Sequence, residues 1–309
     1  MTDSRIKLPE FVRLRAESHG EAGQRWMDGL VELIARFEQD WQIQAGDPLE
    51  GGTGGLVVPA TQADGSPAIL KIGMPEYNFK DELRTLQIAD GRGYAKLLAY
   101  DKAHDAMLVE QLGVRLATLG YSTERQIEII CETLKVAWIP LDHAHGMMTG
   151  VEKAQWLADF IKEAWPQLGK PCNEATINLA QQFIEARKSA YDPANCVLVH
   201  GDAHEHNTLA RDETNTRFKF VDPDGLFAEP AYDLAIPMRE WSEELLAGDA
   251  LTLGRARCAL LNKLTGIDET AIWQWGFIER VSTGLTAIQI GMVEEGKAML
   301  AVADIWANA

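Results

Sequence analysis

The sequence predicts an α+β fold in two lobes: a small N-terminal lobe with an antiparallel sheet, and a larger, mainly helical C-terminal lobe. Two observations lead to this prediction. Short runs with β-strand character are concentrated in residues 41–112. Beyond residue 120, apolar side chains recur at three- and four-residue spacings, as they do in amphipathic helices. We place the two lobes at residues 1–110 and 111–309.

The N-terminal lobe is predicted to hold one leading helix, a sheet and a second helix. Trp26, Leu30 and Phe37 belong to a set of apolar residues with helical spacing, which indicates the leading helix. The second helix is predicted over residues 77–89. The strand-like runs cover residues 41–45, 56–60, 68–72, 96–100 and 106–112.

The C-terminal lobe is predicted to be helical with a single interruption. A short β-branched run at residues 196–199 leads into a polar loop, and a hairpin follows at residues 209–221. A polar loop and a hairpin inside a helical lobe indicate a functional site. The helices are predicted near residues 122–138, 152–165, 173–189, 249–264 and 269–290.

Composition excludes several classes of function. The net charge of −17 repels nucleic acid. No apolar run is long enough to span a membrane, and the charged start of the chain leaves no apolar core for a signal peptide. The cysteines lack the C-x-x-C spacing that is typical of zinc and redox sites. Four scattered cysteines in a chain of this length indicate reduced thiols. We therefore expect a cytoplasmic protein with no nucleic-acid or membrane partner.

The polar loop and the hairpin carry the residues that phosphoryl transfer requires. Residues 200–207 read His-Gly-Asp-Ala-His-Glu-His-Asn, and the hairpin leads into Asp222. Asp202 is the candidate base that orients and deprotonates a hydroxyl group. Asn207 and Asp222 offer the hard oxygen ligands that suit Mg²⁺. His200 is expected to be a structural hydrogen-bonding residue, because an aspartate already fills the role of base.

The N-terminal lobe carries candidate phosphate-binding groups. Lys71 lies in an apolar strand and needs a partner, for which Glu82 on the next helix is the best placed. One strand upstream is a glycine cluster whose backbone N–H groups can approach phosphate closely. The cluster residues that we assign to ATP are Gly51, Gly52, Thr53 and Gly54. The order of all these parts along the chain is that of the protein kinases.

The motifs also resemble a known family, the aminoglycoside phosphotransferases. Residues 200–207, the Asp-Pro-Asp-Gly at 222–225 and the Ala-Tyr-Asp-Leu-Ala at 231–235 carry this resemblance. The sequence is most similar to the branch of streptomycin 6-kinases and hydroxyurea kinases, through Lys71, Glu82, residues 90–98 and the Trp275–Arg280 helix. Two departures are the Gly-Gly-Thr-Gly-Gly loop and the acid at Asp224, where a lysine is common in the streptomycin branch.

The resemblance implies a protein-kinase-like fold that uses ATP and Mg²⁺. It also implies a hinge at residues 109–112, where the Glu110 carbonyl and the Leu112 N–H would hold adenine. Asp233 would be a structural carboxylate that braces the catalytic loop. The implied activity is ATP-dependent phosphorylation of a hydroxyl on an aminoglycoside-type antibiotic such as streptomycin, conferring resistance.

The prediction for the acceptor rests on the acidic residues after the hairpin. A cationic acceptor would fit the acids that follow the hairpin, namely Asp224, Glu229, Glu240 and Glu243. Alternative acceptors are hydroxyurea, a tuberactinomycin peptide, an amino alcohol or a sugar. Outside the kinases, the alternatives are a catalytically dead nucleotide-binding protein and a metal-dependent hydrolase that uses His200, Asp202, His204 and His206.

Overall fold

The protein was analysed as a computed structural model that describes residues 6–50 and 54–308. The chain divides into two compact units between Gly113 and Val114. Each unit has its own hydrophobic core and is described separately below.

The first unit is built on a five-stranded antiparallel sheet with the strand order β1-β2-β3-β5-β4. Two helices precede the sheet and a third helix follows β3. The strands are β1 (Ile43–Ala45), β2 (Gly55–Gln62), β3 (Pro67–Gly73), β4 (Leu97–Asp101) and β5 (Ala106–Glu110). The helices are α1 (Glu10–Ser18), α2 (Gly20–Asp40) and α3 (Phe79–Ala89).

Side-chain alternation along β3 explains why a lysine lies in the middle of this sheet. Leu70 and Ile72 are fully buried and join Leu30 and Phe37 of α2 in one apolar core. Because successive side chains of a strand point to opposite faces, Lys71 projects from the other face. The sequence pattern of β3 therefore separates the core of the first unit from the position of its candidate phosphate-binding lysine.

The second unit is mainly helical and is organised around two buried helices. Almost all of α10 from Ala271 to Leu285 is buried, and so is nearly all of α7. The helices are α4 (Thr123–Ala137), α5 (Gly150–Gln167), α6 (Glu174–Ser189), α7 (Ala231–Arg239), α8 (Ser242–Leu246), α9 (Ala250–Thr265), α10 (Glu269–Gln289) and α11 (Val293–Ala307).

Two small sheets in the second unit position its polar loops. The four-stranded sheet has the order β6-β8-β11-β7, and β9 pairs with β10 as a hairpin. The inner strand β8 leads directly into residues 200–207, and β10 leads into Asp222. The strands are β6 (Ile139–Pro140), β7 (Met148–Thr149), β8 (Val197–Val199), β9 (Thr208–Ala210), β10 (Phe218–Phe220) and β11 (Leu226–Ala228).

The predicted α+β class, with an antiparallel sheet followed by a helical majority, is confirmed. The sequence did not predict α1, α7, α8 or α11, nor the short strands β6, β7 and β11. Because α7 is buried on all sides, it has no polar face and hence no amphipathic period. The strands β6 and β7 have only two residues each, which is too short to show an alternation.

No helix within residues 6–50 and 54–308 combines the length and the apolar character that crossing a membrane requires.

Candidate active site

In the first unit, the predicted partner of Lys71 lies next to it. The Lys71 ammonium group contacts Oε1 of Glu82. Glu82 on α3 is 2% exposed, whereas Lys71 is 16% exposed. The hydroxyl of Tyr77, which the sequence did not single out, donates to Oε2 of Glu82 at 2.5 Å. The buried carboxylate thus accepts from two donors, and it fixes the lysine on the face of the sheet opposite the core formed with α2.

The glycine cluster is only partly described. Gly51, Gly52 and Thr53 lie outside the described residues. A Cβ atom at Gly54 would lie 2.1 Å from the Tyr77 ring, and one at Gly55 would lie 2.2 Å from the carbonyl oxygen of Ile72. These two positions therefore require glycine because neighbouring atoms approach the backbone closely.

The two predicted hinge residues lie at the end of β5 and just beyond it. Glu110 ends the strand, and its backbone N–H donates to the Lys96 carbonyl at 2.9 Å. Its carboxylate accepts from the Lys96 backbone N–H at 2.8 Å. Leu112 is buried two residues later. The carboxylate of Glu110 therefore fixes the strand that precedes the predicted adenine-binding backbone.

In the second unit, the buried carboxylate of Asp233 braces the start of the catalytic loop. Asp233 on α7 accepts hydrogen bonds from the backbone N–H groups of His200 at 2.9 Å and Gly201 at 2.7 Å. It also accepts from the Trp138 indole at 2.9 Å. Burial raises the pKa of Asp233. The position of α7 therefore fixes the start of the loop.

His200 joins the catalytic loop to the hairpin. Its Nδ1 accepts from the Asp202 backbone N–H at 3.0 Å, and its Nε2 lies 2.9 Å from the carbonyl oxygen of Val221. These contacts assign the proton to Nε2, so the ring is the neutral tautomer. Burial lowers the pKa of His200, which keeps the ring neutral. One side chain thus sets the spacing between Asp202 and the residue before Asp222.

Asp202 is held at both of its carboxylate oxygens. Nη2 of Arg239 lies 2.5 Å from Oδ1, and Nε2 of His204 lies 3.2 Å from Oδ2. Burial raises the pKa of Asp202, but the Arg239 charge and the His204 contact outweigh burial and hold it well below its usual range. The bond to Asp202 likewise raises the pKa of His204, although burial lowers it. Asp202 is therefore ionised at neutral pH.

The two candidate magnesium ligands are placed by this loop and the hairpin. The amide nitrogen of Asn207 donates to the Asp202 carbonyl at 3.0 Å and lies 3.4 Å from its Oδ2. With its amide nitrogen so engaged, Asn207 offers Oδ1 as its side-chain acceptor and candidate metal ligand. Asp222 has φ of 55°, a left-handed conformation that is uncommon outside glycine. Such strain concentrates at functional sites.

The four acids proposed for the acceptor are not brought together. Asp224 packs against Gly201, and burial together with the Asp202 charge raises the pKa of Asp224 to about 6. Glu240 accepts from Nε of Arg239 at 2.9 Å. Glu229 is instead held by the Trp275 indole at 2.8 Å and by Arg187 at 3.3 Å, and Glu243 is exposed at the start of α8. Only Asp224 and Glu240 lie beside the groups that surround Asp202.

The geometry gives the metal-hydrolase alternative no support. Both ring nitrogens of His200 and of His204 are already engaged in the contacts described above or with the His206 backbone N–H. His206 is exposed and lies 3.8 Å from Glu205. Among the described residues, the group with converging metal-ligand atoms is a different one, Asp142, His143 and His145, on an exposed loop.

Comparison with known proteins identifies the family. Residues 40–291 match the family described as aminoglycoside/hydroxyurea antibiotic resistance kinase, which is well over half of the chain. The chain belongs to this family. The resemblance drawn from the motifs is thereby confirmed, and so is the predicted enzyme class, a kinase that acts on a hydroxyl group of a small molecule.

Relatives of this resistance-kinase family are similar along nearly the whole chain. Streptomycin 6-kinase of Streptomyces griseus is 27% identical and covers 98% of each chain. Hydroxyurea phosphotransferase of Kitasatospora aureofaciens is 25% identical over 97% of this chain and 86% of its own length. An aminoglycoside phosphotransferase of Streptomyces rimosus, solved with ADP and streptomycin, superposes with a TM-score of 0.53 at 16% identity, covering 82% of this chain and 98% of its own. The shared fold is the protein-kinase-like one predicted.

In this resistance kinase, sequence reasoning missed three residues that contact the candidate site residues of the two units. In the first unit, Tyr77 contacts Glu82. In the second unit, Arg239 contacts Asp202, and Glu279 lies 3.6 Å from Arg239. Arg239 follows the apolar segment of α7, and Glu279 lies among apolar neighbours in α10. A charged residue within an otherwise apolar helix needs a buried partner, because an isolated buried charge is costly. That signal was readable from the sequence, but it does not reveal the partner.

Proposed function

We propose that this kinase transfers the γ-phosphoryl group of ATP, bound with Mg²⁺, to a hydroxyl of a streptomycin-like aminoglycoside, and so confers resistance. The observation that carries the proposal is the bridge formed by His200. By contacting both the Asp202 N–H and the Val221 carbonyl, it holds a candidate base and a candidate metal ligand on one rigid frame.

We assign the chemical roles as follows. Asp202 orients the acceptor hydroxyl and accepts its proton, as expected for a carboxylate that stays ionised. Oδ1 of Asn207 and the carboxylate of Asp222 would hold Mg²⁺, since both are hard oxygen donors and Asp222 is kept in a strained conformation. Bound there, Mg²⁺ would neutralise charge on the phosphates. Asp233 and His200 maintain the frame without touching substrate.

The nucleotide-binding groups are assigned to the first unit. Lys71, fixed by Glu82, would bind the inner phosphates. The backbone of residues 51–54 would approach the phosphates, and the carbonyl of Glu110 with the N–H of Leu112 would hold adenine. ADP bound to the S. rimosus relative supports a nucleotide of this kind. On this proposal the groups that hold adenine and the inner phosphates lie before residue 114, and the base and the metal ligands lie after it.

The preference for a cationic acceptor rests on the charge of the chain and on two acids near Asp202. The net charge is −17, and Asp224 and Glu240 lie beside the groups that surround Asp202. Cations lie there as well, because Arg239 is electrostatically coupled to both acids and Lys153 to Asp224. The overall negative charge favours a polycation over a neutral or anionic acceptor. Streptomycin is the acceptor named for the S. griseus relative. Hydroxyurea is the second candidate because the K. aureofaciens relative is similar to nearly the same degree.

The test is ADP release with purified protein and a panel of acceptors: streptomycin, other aminoglycosides, a tuberactinomycin peptide, hydroxyurea and amino alcohols. Mass spectrometry of the product identifies the modified acceptor. We expect a streptomycin-like compound to react and its KM to rise with ionic strength, because salt screens the attraction of a polycation. Asp224→Asn should flatten that rise. The exposed Glu185, which pairs with Lys188 on α6, supplies the matched control Glu185→Gln.

Two outcomes would contradict parts of the proposal. A reaction with hydroxyurea alone, at a KM that does not depend on salt, would remove the polycation assignment and leave the kinase standing. An equal flattening by Asp224→Asn and Glu185→Gln would show that net charge, not the local site, attracts the acceptor.

We also propose that the enzyme works in the cytoplasm, where ATP is available. The four cysteines are unpaired and buried, as expected where thiols stay reduced.

A further inference from the structure

Arg239, the last residue of α7, is surrounded by carboxylates. Its side chain is 12% exposed. Nη2 contacts Oδ1 of Asp202 at 2.5 Å, Nε donates to Glu240 at 2.9 Å, and Nη1 lies 3.6 Å from Glu279. Each nitrogen of the guanidinium therefore faces an acid, and the shortest contact is to the candidate base.

Two other buried arginines fix the backbone that carries Arg239. Arg280 donates to the Met238 carbonyl at 2.6 Å, and Arg257 donates to the Glu240 carbonyl at 2.8 Å. The carbonyls on both sides of Arg239 are thus bound by rigid, planar donors. A shift of the turn from α7 to α8 would break these bonds, so they hold the base of the Arg239 side chain in place.

A buried tyrosine and a buried glutamate orient the guanidinium. The Tyr232 hydroxyl donates to Oε1 of Glu279 at 2.7 Å, and Glu279 faces Arg239 with its other oxygen. Tyr232 is 1% and Glu279 5% exposed. The contacts form one series from Tyr232 on α7, through Glu279 on α10 and Arg239, to Asp202.

The series distinguishes the two oxygens of Asp202. Oδ1 has the short, charge-assisted contact with Arg239. Among the residues that the structure describes, the contacts of Oδ2 are longer, with His204 at 3.2 Å and with Asn207 at 3.4 Å. Because Oδ1 is committed to the guanidinium, Oδ2 is the oxygen that can receive a proton.

We propose that Arg239 is a positioning residue for phosphoryl transfer, which holds Asp202 so that Oδ2 faces the acceptor hydroxyl. The inference rests on the proposed function. As the acceptor oxygen bonds to the γ-phosphorus, the bond from that phosphorus to the ADP oxygen breaks, and the hydroxyl proton passes to Oδ2. Arg239 touches none of the reacting atoms and acts only through Asp202.

The test compares Arg239→Met and Arg239→Lys, with ADP release as the readout. This readout reports transfer to any acceptor, including water. We expect Arg239→Met to lower kcat about a hundredfold, the effect of a misplaced reactive group, with the KM for ATP within about twofold of wild type. Arg239→Lys retains the charge but not the planar guanidinium, so its kcat should lie between those of wild type and Arg239→Met. Arg187→Met is the matched control, because Arg187 is also 12% exposed and pairs with Glu229.

A double mutant separates positioning from a structural role. In an Asp202→Asn background, adding Arg239→Met should change kcat by less than about threefold, because residues that act as a unit are not additive. A general loss of structure would lower kcat by the same factor in the wild-type and Asp202→Asn backgrounds. A loss caused by removing any buried arginine would also appear in Arg187→Met.

Three results would overturn the inference. They are a full additional loss in the Asp202→Asn background, a kcat of Arg239→Met above half of the wild-type value, and a changed acceptor KM at constant kcat, which would make Arg239 an acceptor-binding residue. A wild-type enzyme that releases no ADP would instead refute the proposed function. An active Asp202→Asn variant would refute the role of Asp202.

Discussion

Replacing Lys71 by methionine removes the cation from a buried ion pair in the first unit. Glu82 is 2% exposed, so its carboxylate would lose the ammonium group within a medium that solvates charge poorly. Breaking a buried pair by removing one partner costs about 3–5 kcal/mol. We expect a value near the lower end, about 3 kcal/mol, because the Tyr77 hydroxyl still donates to Glu82.

The reverse substitution should be milder. In Glu82→Gln, the ammonium group remains on Lys71, whose side chain is 16% exposed and can extend toward water. We expect a loss of about 1 kcal/mol. The double variant replaces both charges and should lose only about 1–2 kcal/mol, less than Lys71→Met alone. The implied coupling energy is about 2–3 kcal/mol.

Stability and activity should respond differently when the two single variants are compared with the double variant. Adding Glu82→Gln to Lys71→Met should restore part of the lost stability, but it should not restore kcat/KM for ATP, because the phosphate-binding cation is still absent. A lysine with only a structural role would let activity recover with stability.

The assay must report on the first unit alone. Trp26 and Trp41 lie there, whereas the other seven tryptophans lie in the second unit, so total fluorescence mixes the two. Hydrogen exchange of peptides from β3 and α3, followed against urea, measures local opening directly. Additive losses of unfolding free energy in the double variant would refute the coupling of Lys71 to Glu82.

Three further predictions concern the second unit. Asp202→Asn should leave ATP binding nearly intact and lower kcat about a hundredfold or more, measured by ADP release; a rate above half of wild type would contradict the base assignment. Asp222→Asn should raise the Mg²⁺ concentration required for half-maximal activity far more than Asp224→Asn does, and equal requirements would remove the distinction between these acids. Because the folded pKa of Asp202 is depressed, its contribution to stability is present above about pH 4 and is lost as pH falls further. The unfolding free energy of Asp202→Asn should therefore fall less steeply below pH 4 than that of wild type, and parallel acid-unfolding curves would count against the Arg239 pair.

Local patterns in the sequence predicted most of the first unit. The β-like run at residues 68–72 predicted the strand of Lys71, and the spacing of apolar residues predicted α2. The helix predicted over residues 77–89 corresponds to α3. Glu82 was found because β3 and α3 are neighbours in the sequence, so few partners were within reach. Tyr77 was missed because it lies before α3 and only the turn places its hydroxyl on Glu82.

In the second unit, the sequence identified the loop but not its surroundings. Asp202, Asn207 and Asp222 stand out because residue type and spacing alone indicate their chemistry. Glu229 shows that closeness in the sequence does not by itself place a residue beside Asp202. It follows Asp224 by five residues, yet Trp275 and Arg187 hold it, and both come from other helices.

The sequence by itself determined the family, the enzyme class, the α+β architecture and the candidate magnesium ligands, because these are written in motifs of a few residues. Only the tertiary structure decided that Arg239 contacts Asp202, which is 37 positions earlier in the chain, and that Glu279 orients Arg239 from α10. Pairing between buried charges depends on which helices pack together, and the packing of α7 against α10 is selected by the whole core. A local pattern can show that a buried charge needs a partner, but only the folded chain supplies it.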